Sequence, residues 1–242
     1  MKVAILIPAR YSSSRFEGKV IHPIKSKPMV QWVYEGVKGS QYADFIAVLT
    51  DDRRVFNAVR SFGGNVFMVE GDFNSGTDRI AYFCRDRDFD YVVNMQADEP
   101  LIDSSTIDGL IGCALDGKEE MATLLATCKR EEVDDPNVVK AVVDLKGYAL
   151  YFSRSRIPYN REPFDGYLKH VGIYVYRRET LIKLSELSAS ELEVAEGLEQ
   201  LRALQNGIKI KTCMTDKLLI GVDTRDDLKR VLAYLGEGNG KQ

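Results

Sequence analysis

Histidine and cysteine are scarce in this chain, and basic charge is not in excess. There are two histidines and four cysteines among 242 residues. Cys84, Cys113, Cys128 and Cys213 lie far apart, with no C-x-x-C pair, which argues against a zinc site and fits a reducing cytoplasm. Lysine and arginine number 33 against 36 aspartates and glutamates, a formal charge of −3. No basic field is available to gather nucleic acid or an anionic membrane surface, so any bound anion must be held by a few placed cations. A membrane helix needs roughly 20 consecutive apolar residues, whereas the run Val3–Pro8 has six. The pattern of a secretory signal is missing as well. So are a G-x-G-x-x-G after the first strand, which weakens a dinucleotide-binding dehydrogenase, and the G-x-S-x-G elbow of α/β hydrolases. The stretch from Gly112 to Glu119 nearly spells a P-loop. Glu119 stands where a magnesium-binding hydroxyl is needed, so the stretch reads as a helix end and loop.

What is present is alternation. Val3–Pro8 is a short apolar run ended by proline, as expected of a central parallel strand buried on both faces. Similar runs follow at Phe45–Leu49, Val66–Val69, Tyr91–Met95 and Ala122–Ala126, separated by helical spacings such as Met29, Val30, Val33, Val37 and Val55, Val59, Phe62. Such a pattern predicts βαβ units and an α/β fold. From Val138 on, three strand-like runs lack intervening helices, which predicts antiparallel additions and a mixed, mostly parallel central sheet flanked by helices. Ser190-Glu-Leu-Glu193 matches a capping box and predicts a helix to about Leu204. Thr224-Arg-Asp-Asp227 predicts a last helix to about Leu235, with a frayed tail over 237–242. No linker rich in Pro, Gly or Ser divides the chain, so one domain over residues 1–236 is expected.

Several places concentrate groups that carry chemistry. The loop after the first strand, from Pro8 to Lys19, holds Arg10, Arg15, Lys19 and three serines at the strand end where open α/β sheets bind ligands. Short hydroxyls, backbone N–H groups and three cations suit a polyphosphate. Asn94-Met-Gln-Ala-Asp-Glu-Pro100 closes another strand with adjacent carboxylates. Side chains alternate along extended chain, so Asp98 and Glu99 cannot face one ligand together: one is a metal ligand and the other a structural anchor. Asp223 is either a helix cap or, if it converges with Asp98, the second ligand of a hard oxygen site suited to magnesium. Ser75-Gly-Thr-Asp-Arg79 reads as a loop before a helix, with Thr77 as a possible cap. In the second half, Tyr151–Arg154, His170–Tyr174 and Glu199-Gln200 gather polar groups able to recognise carboxylate and hydroxyls.

Together these segments resemble the sugar-activating nucleotidyltransferases, and within them the cytidylyltransferases of 3-deoxy-manno-octulosonate (Kdo). The resemblance covers nearly the whole chain. It rests on Pro8-Ala-Arg-Tyr-x-Ser-x-Arg15 with Lys19, Lys27-Pro-Met29, Ser75-Gly-Thr-Asp-Arg79, Gln96-x-Asp-Glu-Pro100, Gly147–Arg154, His170-x-Gly-Ile-Tyr174, Leu198–Arg202 and Gly221-Val-Asp-Thr224. The first motif is common to many nucleotidyltransferases; those from Tyr148 on are particular to the Kdo enzymes. The resemblance implies CTP held by Ala9, Arg10, Ser13, Arg15 and Lys19, with Ser75, Gly76 and Thr77 beside the cytidine. It also implies magnesium on Asp98 and Asp223, and Kdo contacted by Gln96, Arg154, His170, Tyr174, Glu199 and Gln200. Arg10, Lys19, Asp98 and Asp223 are then the catalytic set for transfer of CMP to Kdo. A cytoplasmic homodimer serving lipopolysaccharide synthesis is implied too, with the segment Gly147–Leu204 as sugar-binding and dimerisation region. The alternatives are another acidic sugar, such as 8-amino-Kdo or a sialic acid, or a non-catalytic sugar-nucleotide binding protein. Three departures from the family pattern stand out: Ala97 where glycine is usual, Phe16-Glu17 for Leu-Pro, and Ser26 for Gly.

Overall fold

The computed structural model describes residues 1–13 and 15–237. Ser14 of the first loop and the expected tail beyond Glu237 lie outside the described residues. The chain divides into two compact units, one of Met1–Asp108 together with the segment from Leu218 on, the other of Gly109–Lys217.

In the first unit, β1 (Val3–Pro8) leads through a loop and a small hairpin, β2 (Pro23–Ile24) with β3 (Lys27–Pro28), into α1 (Met29–Val37). Then follow β4 (Phe45–Thr50), α2 (Arg53–Ser61), β5 (Val66–Met68), α3 (Gly76–Cys84) and β6 (Tyr91–Asn94). The strands run parallel in the order β6-β1-β4-β5. Every residue of β1 is buried, as its unbroken apolar run requires of a strand paired on both sides. α4 (Ser104–Asp116) leads into the second unit, and the near-P-loop is its end and the following turn, where Lys118 has φ 50.

The second unit contains β7 (Met121–Thr127), β8 (Lys140–Val143), β9 (Ala149–Ser153), β10 (Leu168–Arg177), α5 (Arg178–Glu186), α6 (Glu191–Glu196), α7 (Gln200–Gln205) and β11 (Ile210–Met214). The expected antiparallel pairing is present: β10 pairs with β7 and β8, and β8 with β9. β11 adds a parallel edge beside β7 that the sequence patterning did not announce. The fold is therefore the mixed, mostly parallel α/β sheet flanked by helices that the alternation predicted.

Two expectations need correction. The helix opened by the Ser190 capping box ends at Glu196, because Gly197 turns left-handed at φ 62. A second short helix, α7, begins three residues later. Such a glycine terminates a helix by accepting a conformation that L side chains resist. The cysteines are also not all free: Cys113 of α4 and Cys213 of β11 form a disulfide, a pairing across 100 residues that sequence spacing cannot reveal.

Returning to the first unit, the chain forms α8 (Arg225–Glu237), opened by Thr224, which exchanges hydrogen bonds with Asp227 as the capping pattern predicted. Phe16 of the first loop, Ile24 and Met29 pack with Ile220, Val222 and, from α8, Leu228 and Val231. Burying an aromatic and branched side chains in one cluster, each contributing roughly 1.5–3 kcal/mol, fixes the first loop against the segment that carries Asp223.

Candidate functional site

The first loop is shaped by backbone. Ala9 N–H donates to the Leu49 carbonyl at 2.8 Å, and Gly18 N–H donates to the Tyr11 carbonyl at 2.9 Å. Gly18 takes φ 69, and a Cβ there would meet the Tyr11 ring at 3.1 Å. Glycine is therefore required at the turn that presents Lys19.

Lys19 is the centre of the site. Its Nζ donates to Asp98 Oδ2 at 2.5 Å and to Asp223 Oδ1 at 2.9 Å, and Arg15 Nη2 reaches Asp223 Oδ2 at 3.0 Å. Burial alone pulls the Lys19 ammonium down. The charge of Asp98 and the hydrogen bonds to Asp98 and Asp223 outweigh it, and the pKa is raised. Burial likewise pushes Asp223 up, but Lys19 and then Arg15 hold it below the ordinary carboxylate value. A backbone bond from Val222 N–H to the Asp98 carbonyl at 2.8 Å ties the two carboxylate segments together. Asp98 and Asp223 thus converge, as a shared oxygen site demands, and the cap of α8 is Thr224 rather than Asp223. Glu99 does not join them: its Oε1 lies where a Cβ on Gly221 would fall, 2.9 Å away. Among the described residues no group of three or more His, Cys, Asp or Glu side chains could hold a metal by itself. Asp98 and Asp223 are the two hard donors around which phosphate oxygens and water can complete a magnesium shell.

Arg10 donates from Nη2 to the Phe73 carbonyl at 2.7 Å, a partner the sequence did not mark. The Ser75 motif is the first turn of α3 and not a loop. Ser75, rather than Thr77, is its cap, in a capping box with Asp78. Gly76 brings this helix start against β1, since a Cβ on it would meet Pro8 Cγ at 3.0 Å. Thr77 is buried and accepts from Asn94 Nδ2 at 3.1 Å, while Asn94 Oδ1 accepts from Gln96 Nε2 at 3.2 Å. Gln96 and Thr77 are therefore joined through Asn94, a lone amide closing an apolar strand. Ala97 is buried at 4% exposure, and Ser13 lies on the first loop.

The polar groups of the second unit form a different surface. His170 sits edge-on to Phe152 with ring centroids 5.0 Å apart, and Tyr174 lies 5.3 Å away on the same strand. A bulge in β10 falls between Val171 and Tyr174. Bulges re-aim side chains. The single hydroxyl proton of Thr123 goes to the Ile173 carbonyl at 2.8 Å, so its oxygen accepts from His170 Nε2, 3.0 Å away. The assignment makes Nδ1 the acceptor. Burial lowers the His170 pKa to about 3. Burial, helped by the charge of Glu199, raises Tyr174 well above its ordinary value. Both groups are neutral at physiological pH. Gln200 is 4% exposed, and its Nε2 has no hydrogen-bond partner among the described residues. Arg154 spends its guanidinium on the chain. Nε donates to the Glu196 carbonyl at 2.7 Å, Nη1 to Pro136 at 2.9 Å and Nη2 to Gly197 at 3.4 Å. It fixes the Gly197 turn that leads to Glu199 and Gln200. Lys140, buried at 0% exposure, holds the Arg154 carbonyl at 2.6 Å. Neither Thr123 nor Lys140 stood out in the sequence; each is a buried polar residue in a largely apolar strand.

No helix among the described residues is long and apolar enough to cross a membrane. The family model described as Cytidylyltransferase matches residues 4–210. The chain is 45% identical to a 3-deoxy-manno-octulosonate cytidylyltransferase of Fusobacterium nucleatum, covering 100% of both chains. With the enzyme of that name from Geotalea daltonii it shares 46% identity, over 97% of this chain and 98% of the relative. A solved structure of CMP:2-keto-3-deoxy-manno-octonic acid synthetase complexed with CTP superposes with a TM-score of 0.94 at 42% identity, covering 98% of this chain and 100% of that one. With a carboxylate and cation cluster at the strand ends and this likeness along its whole length, the chain belongs to the cytidylyltransferase family, in its 3-deoxy-manno-octulosonate group.

Proposed function

We propose that this nucleotidyltransferase moves CMP from CTP to the anomeric hydroxyl of Kdo, releasing pyrophosphate. The observation that carries the reading is the meeting of Lys19, Asp98, Asp223 and Arg15 at one point of the first unit. All four groups are already engaged with one another, so a triphosphate is received by exchange of ion pairs rather than by free charges. Lys19 and Arg10 then face the phosphates and favour departure of pyrophosphate, where negative charge grows as the bond breaks.

Asp98 and Asp223 hold magnesium in this reading; when bound, the ion lowers the pKa of the attacking hydroxyl and offsets charge on the entering and leaving oxygens. His170 is not assigned as a general base. Its pKa of about 3 makes it a poor proton acceptor, and its Nε2 proton is committed to Thr123. His170 Nδ1, the Tyr174 hydroxyl, Glu199 and Gln200 are assigned to the sugar's hydroxyls. Arg154 acts behind them by holding the Gly197 turn. Ser75, Gly76 and Thr77 are placed beside the cytidine.

The product, an activated acidic sugar, fits a supply step for lipopolysaccharide synthesis, and dependence on CTP fits the cytoplasm. A homodimer through Gly147–Leu204 accounts for exposed apolar side chains there, Leu150, Tyr159 and Val194 at 61%, 89% and 71%. A light-scattering mass near twice 27.3 kDa supports that part, and a mass of one chain removes it. The activity itself is tested by pyrophosphate release on mixing CTP, magnesium and Kdo. Release that requires all three is the expected result. Absence of release with folded protein overturns the reading.

A further inference from the structure

We infer that a buried ion pair, Arg79 with Asp51, is a positioning device for the nucleotide, acting through Phe73 and the Asp51 charge on Arg10. Arg79 of α3 is 1% exposed and among the largest fully buried side chains of the chain. Its Nη2 donates to the Asp51 carboxylate, while its Nε and Nη1 have no hydrogen-bond partner among the described residues. Burying a guanidinium on one partner is a poor way to stabilise a core; an apolar side chain of similar volume does it without the desolvation cost. A charge at this place is therefore to be explained by what it holds.

Two connections run from the pair to the first loop. Asp51 follows β4 directly, and β4 accepts the Ala9 N–H through Leu49, so Asp51 stands at the strand ends beside Arg10. The hydrogen bond from Arg79 holds Asp51 below the ordinary carboxylate range against its burial, with the charges of Arg79 and then Arg10 adding to it. The second connection is Phe73, which lies between β5 and α3. The Arg79 guanidinium is 5.5 Å from its ring centroid, and its carbonyl accepts from Arg10 at 2.7 Å. Arg79 thus sets both groups that orient Arg10: it places the carboxylate that attracts it, and it lies against the residue whose carbonyl receives it. A planar, forked cation can pair with a carboxylate and lie against a ring at once, which an ammonium does less well.

The inference rests on reading Arg10 as a polyphosphate ligand, and the test separates the two. Steady-state kinetics in both substrates are measured for Arg10→Ala, Asp51→Asn, Arg79→Lys and the double variant Arg10→Ala/Asp51→Asn, with thermal melts to confirm folding. Asp51→Asn and Arg79→Lys are expected to lower kcat/KM for CTP by about tenfold to a hundredfold, the cost of misplacing a group by about 1 Å. The KM for Kdo should stay within about twofold, and Asp51→Asn should add little once Arg10 is gone, because residues acting as one unit are not additive. If Arg79→Lys does not fold, Asp51→Asn carries the test alone, since it removes a charge and keeps the shape. Unchanged CTP kinetics in Asp51→Asn, or a full additional loss in the double variant, overturns the positioning role while leaving Arg10 on the phosphates. Unchanged CTP kinetics in Arg10→Ala overturns the phosphate reading itself.

Discussion

The polar clusters of the two units hold their groups together in opposite ways. In the first unit the groups are ionised and paired with one another: Lys19 bridges Asp98 and Asp223, and Arg15 completes the set. In the second the two rings at its centre are neutral, His170 at a pKa of about 3 and Tyr174 well above its ordinary value, packed against aromatic neighbours with the charge of Glu199 acting on Tyr174. The one arginine assigned there, Arg154, is consumed by backbone carbonyls. Mutual pairing keeps several charges close together without leaving any of them uncompensated, and under the proposed function it would let an incoming triphosphate exchange one set of ion pairs for another. Neutral dipoles held by neighbours discriminate by hydrogen-bond geometry instead, because a wrong partner leaves a buried group unpaired. In the proposed function, charge would serve the phosphates and fixed orientation the sugar.

The largest expected effect breaks the charged side of that comparison. Asp98→Asn and Asp223→Asn keep the shape and remove the charge, so each should lower kcat by about a thousandfold in steady-state kinetics at saturating magnesium. The fold should survive, as judged by an unchanged melting curve. Near wild-type turnover in both variants removes the metal assignment.

A smaller loss sharpens the other side. The Cys113–Cys213 link closes a loop of 100 residues that contains Arg154, His170, Tyr174, Glu199 and Gln200. Cys113→Ser should cost about 2 to 4 kcal/mol of stability by freeing the unfolded chain. Thermal melts with and without reductant check it: reductant should lower the Tm of the wild type and leave the variant unmoved. Equal melting of both proteins in the absence of reductant contradicts the expectation.

Thr123→Val is smaller again. It deprives His170 Nε2 of its acceptor, a loss of about 1 to 3 kcal/mol for a buried polar group. The KM for Kdo should rise while kcat/KM for CTP holds, and an unchanged KM for Kdo argues that the His170 tautomer is irrelevant to the sugar.

How much of this was legible beforehand follows from the range of the forces involved. β1, β4, β6 and β7 were readable because a doubly buried strand needs an unbroken apolar run, and the caps at Ser190 and Thr224 because capping is a matter of three residues. The meeting of Asp98 and Asp223 could be posed from their places at strand and loop ends, but not decided. Their common partner Lys19 and the Val222 to Asp98 backbone bond are tertiary. Gly197 broke a helix that the Ser190 cap was expected to open as far as Leu204, since a cap reports where a helix starts and not the backbone conformation further on. The Thr123–His170 bond, the disulfide and the carbonyls around Arg154 join residues 18 to 100 positions apart, beyond anything local pattern encodes.

The contrast between the ion-paired cluster and the neutral His170–Tyr174 pair is tested most directly by the KM for Kdo as a function of pH. Burial depresses the His170 pKa, so its proton is lost already at about pH 3, and Tyr174 keeps its proton far into the alkaline range. Neither changes charge between about pH 6 and 9, where an ordinary histidine titrates. The KM for Kdo should accordingly be flat across that window in the wild type, and flat again in Thr123→Val at its higher level. An inflection near pH 6.5 that disappears in His170→Gln would contradict the account, for it would mean that the imidazole meets the sugar as a titrating charge.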